Sequence, residues 1–136
     1  MRLTSRGRYA VMAMADLAQN KSQNPVSLMD ISLRQGISVQ YLEQLFVRLK
    51  KNKLVNSTRG PSGGYLLSKD PQQIKLSNII SAVAEEVKTN SCNKHSKKAC
   101  NGKSTKCITH NLWDELGTHI NKFFEEKNLS DIVKTV

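Results

Sequence analysis

The sequence predicts a mainly α-helical fold with one small β wing, followed by a long C-terminal helix that serves dimerisation. Three observations carry this. Two helical stretches, opened by Ser27 and Ser38, are separated by a tight turn at Gly36. A turn with three glycines and a proline, Arg59-Gly60-Pro61-Ser62-Gly63-Gly64, follows at once between two short apolar runs. Late in the chain, Leu112, Trp113, Leu116, Ile120, Phe123 and Phe124 fall within roughly 120° of one helix face at about 100° per residue. A helix, a glycine turn, a second helix and a hairpin make a winged helix-turn-helix.

Taken in order, Thr4 or Ser5 can cap a first helix. Tyr9, Ala10, Met12, Ala13, Leu17 and Ala18 then recur at helical spacing. Arg2, Arg6 and Arg8 crowd its start, where the helix dipole disfavours cations and an anionic partner would relieve them. Residues 20–25 form a polar linker. Ser27-Leu28-Met29-Asp30 resembles a capping box and opens a short helix carrying Leu28, Ile31 and Leu33, and Gly36 is placed to end it. The next helix, 38–51, buries Leu42, Leu45, Phe46 and Leu49, which cluster within roughly 100°. Gln40, Gln44 and Lys51 face the other way, with Tyr41 and Glu43 on the flanks. Gln can bond bidentately to adenine and Glu can accept from cytosine N4, so this face suits a recognition helix. An ordinary solvated face fits the same pattern.

Residues 54–58 and 65–67 read as the two strands of the wing. Arg59 at its base is placed to enter a narrow minor groove, and Gly60 and Gly63 allow close backbone approach to phosphate. The turn lacks the Gly-Lys-Ser/Thr ending of a nucleotide-binding loop. Beyond it, Asp70-Pro71 starts a helical turn. Residues 74–76 suggest a brief third strand. Ser77 is expected to cap a helix that contains Ile79, Ile80 and Val83 and ends near Glu86. The long helix spans about 109–126, and Ser130 is expected to open a last short helix through Ile132 and Val133.

Charge supports a nucleic-acid partner. The 136 residues carry a net charge of +10. Residues 1–69 hold all six arginines and five lysines against three acids, whereas 70–136 hold ten lysines and eight acids. That asymmetry points to an anionic partner for the first half, most simply double-stranded DNA. No apolar run approaches a membrane span and no secretory signal opens the chain, so a cytoplasmic protein is expected.

Every cysteine lies between the helical regions: Cys92, Cys100 and Cys107, with His110 three positions after the last. From Lys88 to Lys106 there are six lysines and no acid. A loop this long is uncommon unless it has a function or is disordered. Three cysteines cannot pair evenly, and cytoplasmic thiols stay reduced. Three thiolates and one imidazole supply the four donors of a tetrahedral centre. Spacing alone leaves zinc open, because three cysteines and one histidine are an ordinary structural zinc set. His95 is read as an exposed loop residue, and His119, at the edge of the late apolar arc, as a packing residue.

Several segments carry a family resemblance. They are Met1-Arg2-Leu3-Thr4-Ser5-Arg6-Gly7-Arg8-Tyr9-Ala10-Val11, Gln35-Gly36-Ile37-Ser38, Tyr41-Leu42-Glu43-Gln44-Leu45, Arg59-Gly60-Pro61-Ser62-Gly63-Gly64-Tyr65-Leu66 and Ile79-Ile80-Ser81-Ala82-Val83. Together they resemble the IscR-type family of winged-helix transcription regulators, colinearly over nearly the whole chain. The resemblance implies a homodimer that regulates iron–sulfur cluster assembly genes and holds a 2Fe-2S cluster through three cysteines and one histidine. By position these are Cys92, Cys100, Cys107 and His110. Nitric-oxide-sensing relatives use an acidic residue where this chain has Arg8, and relatives that sense through free thiols need no histidine where His110 stands.

The expected organisation is a DNA-binding domain at 1–87, a cluster-binding loop at 88–108 and a dimerisation segment at 109–136. The expected function is a DNA-binding repressor of cluster-assembly genes that senses cluster status. It would act on a pseudo-palindromic operator, with the cluster-assembly machinery as donor. Arg2, Ser38, Gln40, Tyr41, Glu43, Gln44, Arg59, Gly60 and Gly63 are the expected DNA contacts. A regulator with a structural zinc or thiol site in the same loop is the alternative, and an iron–sulfur electron carrier the more distant one. No nucleophile–base pair or open metal position indicates an enzyme.

Overall fold

The computed structural model describes residues 4–20, 23–83 and 108–133. The expectations for Arg2, Cys92, His95, Cys100 and Cys107 lie outside these residues. Helix α1 (Ser5–Gln19) is followed by α2 (Leu28–Gln35), α3 (Val39–Lys51), strands β1 (Val55–Thr58) and β2 (Gly64–Leu67), and a single 3-10 turn at Pro71–Gln73. Then come α4 (Leu76–Ala82), α5 (His110–Glu126) and α6 (Leu129–Val133).

Helix α1 is the hub, packing against α2, α3, α4, α6 and β2. Its buried face is Ala10, Ala13, Met14 and Leu17, and the two alanines let neighbouring helices approach closely. Leu42, Leu45, Phe46 and Leu49 of α3 are buried as their spacing predicts, with Ile31, Val55, Ile74, Ile79 and Leu129 completing the core. Burying such side chains contributes roughly 1.5–3 kcal/mol each before conformational entropy is subtracted.

Local signals explain most boundaries. Ser27 Oγ accepts from the Asp30 amide and Ser38 Oγ from the Tyr41 amide. Gly36 ends α2 in the left-handed region, at φ 69°. Helix α3 ends differently. The Lys53 amide donates to the Lys50 carbonyl and the Leu54 amide to the Leu49 carbonyl, with Lys53 itself at φ 61°. This is a Schellman-type termination with lysine where glycine is usual.

Four expectations need correction. Residues 74–76 do not make a strand: Lys75 forms one isolated bridge with Asn128, and the Leu76 amide donates to the Lys127 carbonyl. That pinning starts α4 at Leu76, so Lys75 and not Ser77 holds the N-cap position. Helix α6 begins at Leu129 and is capped by Asn128 rather than Ser130. Asn128 Oδ1 accepts from the Asp131 amide while Asp131 Oδ2 accepts from the Asn128 amide, a reciprocal pair. In α2, Ile31 is buried and Leu28 packs partly against the core, while Leu33 is 77% exposed. Thr4 occupies the N-cap position of α1 without accepting a side-chain cap bond.

One polar feature of the core is absent from the periodicity. Asp16, 4% exposed, sits on the buried face of α1. Arg34 grips its carboxylate with two bonds of 2.9 and 2.8 Å, and Gln35 Nε2 adds a third at 2.8 Å. Burial pushes the Asp16 carboxyl up, but the hydrogen bonds from Arg34 and Gln35 and the Arg34 charge outweigh it and hold it below the usual carboxylate range. Because the folded pKa is depressed, the contribution is complete above the unfolded value of about 3.9 and is lost as pH falls through the folded value. Asp16→Ala should therefore cost on the order of 3 kcal/mol at neutral pH. In urea unfolding, the gap from the parent protein should begin to narrow as pH falls below about 3.9; a pH-independent gap would remove the ionised pair from the account.

Candidate nucleic-acid interface and metal centre

Helices α2 and α3, with the Gly36 turn between them, form the helix-turn-helix, and β1 and β2 form the wing. The strands pair antiparallel, Val55 opposite Leu67 and Thr58 opposite Gly64. Buried Leu42, Leu45, Phe46 and Leu49 fix the rotation of α3, which leaves Gln40, Glu43 and Gln44 exposed. Ser38 is exposed at the helix start, its hydroxyl engaged in capping.

Tyr41 is only half-exposed and packs edge-on against Tyr9, ring centroids 5.7 Å apart. Its hydroxyl lies 3.4 Å from Ser5 Oγ. The ring thus joins the start of α1 to the start of α3.

The wing is fastened from two sides. Val26 and Tyr65 exchange backbone bonds of 2.9 and 2.8 Å, tying β2 to the segment before α2. The Tyr65 ring also meets Phe46 of α3 at 4.7 Å. A Cβ on Gly64 would collide with the Val26 carbonyl, and one on Gly63 with the Thr58 carbonyl. Gly60 needs its freedom outright, at φ 110°. The Gly63 amide closes the tip on the Gly60 carbonyl at 2.9 Å, and Arg59 stands exposed beside it.

His110 is the first residue of α5. Its Nδ1 is buried yet has no hydrogen-bond partner among the described residues. A buried ring nitrogen without a partner is costly, so it fits a metal-ligand position. No group of three or more potential ligands assembles among the described residues, and the three expected cysteines lie outside them. His119 does not pack as expected. It is exposed, with Nε2 4.0 Å from Glu115 Oε1.

Sequence reasoning missed Asp16, Arg34 and Gln35, which orient the helix-turn-helix, and Arg48, whose guanidinium bonds the Val83 carbonyl at 2.9 Å. The signal for Asp16 was present: it stands three residues after Ala13, within the apolar face of α1. Nothing local marks Arg48.

The whole chain has known relatives. The Rrf2 family model, described as an iron-dependent transcriptional regulator, matches residues 3–135. The chain belongs to the Rrf2 family. The HTH-type transcriptional regulator IscR of Cronobacter sakazakii is 53% identical over 133 residues, spanning 98% of this chain and 80% of that protein. Its namesake from Xenorhabdus nematophila is 52% identical over 134 residues, again 98% and 80%. Among solved structures, T. potens IscR superposes with a TM-score of 0.77 at 36% identity, covering 99% of this chain and 88% of that one. CymR, the global cysteine regulator of B. subtilis, superposes at 0.82 with 25% identity, covering 100% and 98%. This Rrf2 protein is a DNA-binding transcription regulator and not an enzyme. Among its described residues no helix is long and apolar enough to cross a membrane.

The wing attachment gives a direct test. Gly64→Ala should destabilise the protein by roughly 1–3 kcal/mol in thermal unfolding, because the new Cβ must displace backbone. It should also weaken DNA binding. An unchanged Tm would mean that β2 does not need its close approach to Val26.

Proposed function

We propose that this Rrf2 regulator senses iron–sulfur supply by holding a 2Fe-2S cluster on Cys92, Cys100, Cys107 and His110. It binds a pseudo-palindromic operator as a homodimer and represses cluster-assembly genes, with the cluster-assembly machinery as donor. The observation that carries this reading is the buried, unpartnered Nδ1 of His110 at the start of α5. It is a nitrogen in want of a ligand or donor, three residues after Cys107 in a chain 53% identical to a regulator named IscR. Histidine in place of one thiolate makes such a centre less negative and adds a protonatable ligand.

In this reading residues 1–87 bind DNA, 88–108 carry the cluster and 109–136 dimerise. Gln40, Glu43 and Gln44 read bases in the major groove, with Tyr41 on their flank. Arg59 enters the minor groove, and Arg2, Ser38, Gly60 and Gly63 lie along the phosphates. The dimer rests on α5. None of its residues is buried, although Leu112 and Phe123 are 56% and 53% exposed and Trp113 and Leu116 also face outward. An apolar helix face of this kind in a soluble regulator calls for a second copy, whose twofold symmetry matches a palindrome.

Three measurements test these assignments. Anaerobically purified protein should show the visible charge-transfer bands of a 2Fe-2S cluster, lost in Cys92→Ala and His110→Ala. A colourless protein that binds one zinc per chain and resists reconstitution would replace the sensor with a structural clip. Leu116→Glu should convert dimer to monomer in sedimentation velocity while helicity is retained; a dimer that persists would move the interface elsewhere. Gln44→Ala and Arg59→Ala should each weaken binding to a duplex selected from a random pool by about 1–3 kcal/mol, read by fluorescence anisotropy. Parental affinity in both would take the helix face and the wing out of recognition.

A further inference from the structure

We propose that Arg48, in the last turn of the recognition helix, and Asn52, its C-cap, are positioning residues that couple the cysteine-bearing stretch to DNA reading. The proposal rests on the sensor function above and names the contact through which it acts.

Directly after Val83 the chain continues towards Cys92, so the end of α4 is the root of that stretch. A helix leaves its last four carbonyls without internal donors. Here donors arrive from α3. Arg48 Nη1 donates to the Val83 carbonyl at 2.9 Å. Asn52 Nδ2 donates to the Arg48 carbonyl at 2.8 Å and, more weakly, to the Ala82 carbonyl at 3.4 Å. One guanidinium and one amide therefore clamp the end of α4 to α3. On α3, Arg48 follows Gln44 by one turn and Gln40 by two, so a tilt imposed at Arg48 reaches both exposed glutamines.

The other end of the stretch returns at His110, and the helix it starts packs against α4. Both flanks of the proposed ligand set thus bear on α4. The joint between α3 and α4 has two unlike sides. Leu49, Ile79 and Val83 are fully buried on the apolar side. On the polar side Asn52 lines a cleft of about 400 Å³ with Lys69, Asn78, Ser81 and Glu125. Directional donors beside open space permit a second arrangement that a close-packed joint would not. Ligation at His110 and the cysteines shifts α5 and α4, changes the Arg48–Val83 contact, and so alters how α3 is presented. That contact supplies the difference between states that any coupling requires.

The test compares parent protein, Arg48→Met, Arg48→Lys and Asn52→Ala, using a duplex selected by the parent from a random pool. Affinity is measured for the cluster-bound and cluster-free forms. A parental ratio between forms of about 5- to 150-fold is expected. In Arg48→Met it should fall to within about twofold of one, with the visible bands retained, and Arg48→Lys should restore part of it. As a readout independent of the cluster, DNA should slow amide exchange at 79–83 in cluster-free parent but not in Arg48→Met. If Arg48→Met weakens both forms equally and keeps the ratio, Arg48 is a phosphate contact and the proposal is overturned. Should Arg48→Met lose its helicity, Asn52→Ala is judged by the same ratio and exchange criteria. A parental ratio of one in protein showing cluster bands overturns the sensor function and the coupling with it. If the bands are absent, the cluster assignment alone fails, and the exchange comparison decides whether α4 is coupled to DNA.

Discussion

The position of the helix-turn-helix depends on a buried carboxylate. Asp16 lies in the apolar face of the central helix and is only 4% exposed, so its carboxylate needs bonds within the protein. Arg34 and Gln35, in the last turn of α2, meet that need with three bonds. An apolar contact of similar area would let α2 slide or rotate at little cost. A forked guanidinium on a planar carboxylate would not. Helix α2 contributes a single buried side chain, Ile31, to the core. Its orientation therefore rests on polar geometry more than on packing. The turn at Gly36 follows immediately and passes that orientation to α3.

From α3 outward the proposed reading surface is stiffened wherever a backbone group would be left unpaired. Ser38 caps the start, a Schellman-type pair closes the end, and the exposed glutamines lie between two fixed points. The wing is held to this frame by the Val26–Tyr65 bridge and the Phe46–Tyr65 contact. Arg59 is consequently carried on a short hairpin with two anchors, although its own side chain is exposed. A surface arranged this way loses little conformational entropy on binding DNA, which favours affinity.

Two demands remain open within the described monomer, and both lie on α5. One is the apolar face around Leu112, Leu116 and Phe123, and the other is the buried Nδ1 of His110. The proposed function meets them with a second copy of the chain and a metal centre. Their placement on one helix, packed against α4 and through it against α3, makes the proposed subunit contact, the proposed ligand set and the proposed recognition helix neighbours.

Much of this was legible in the sequence because it is local. Capping serines at 27 and 38, Gly36, the glycine-rich turn at 59–64 and the apolar spacing of α3 and α5 each act within a turn or a few residues. They specified the helix-turn-helix, the wing, and which side of α3 faces outward. The proposed ligand set is a pattern of donor types in the sequence, and its cysteines lie outside the described residues. What only the tertiary structure decided involves partners distant in sequence. Periodicity places Asp16 on the buried face but does not name Arg34 as its partner, and Tyr9 with Tyr41, Val26 with Tyr65, Arg48 with Val83 and Lys75 with Asn128 carry no periodic mark. The same cause moved the starts of α4 and α6 from Ser77 and Ser130, since the 74–76 and 127–129 segments bond each other. A cap is chosen by the four residues beside it, but a long-range hydrogen bond is chosen by whatever the fold brings opposite, and a linear pattern does not record that.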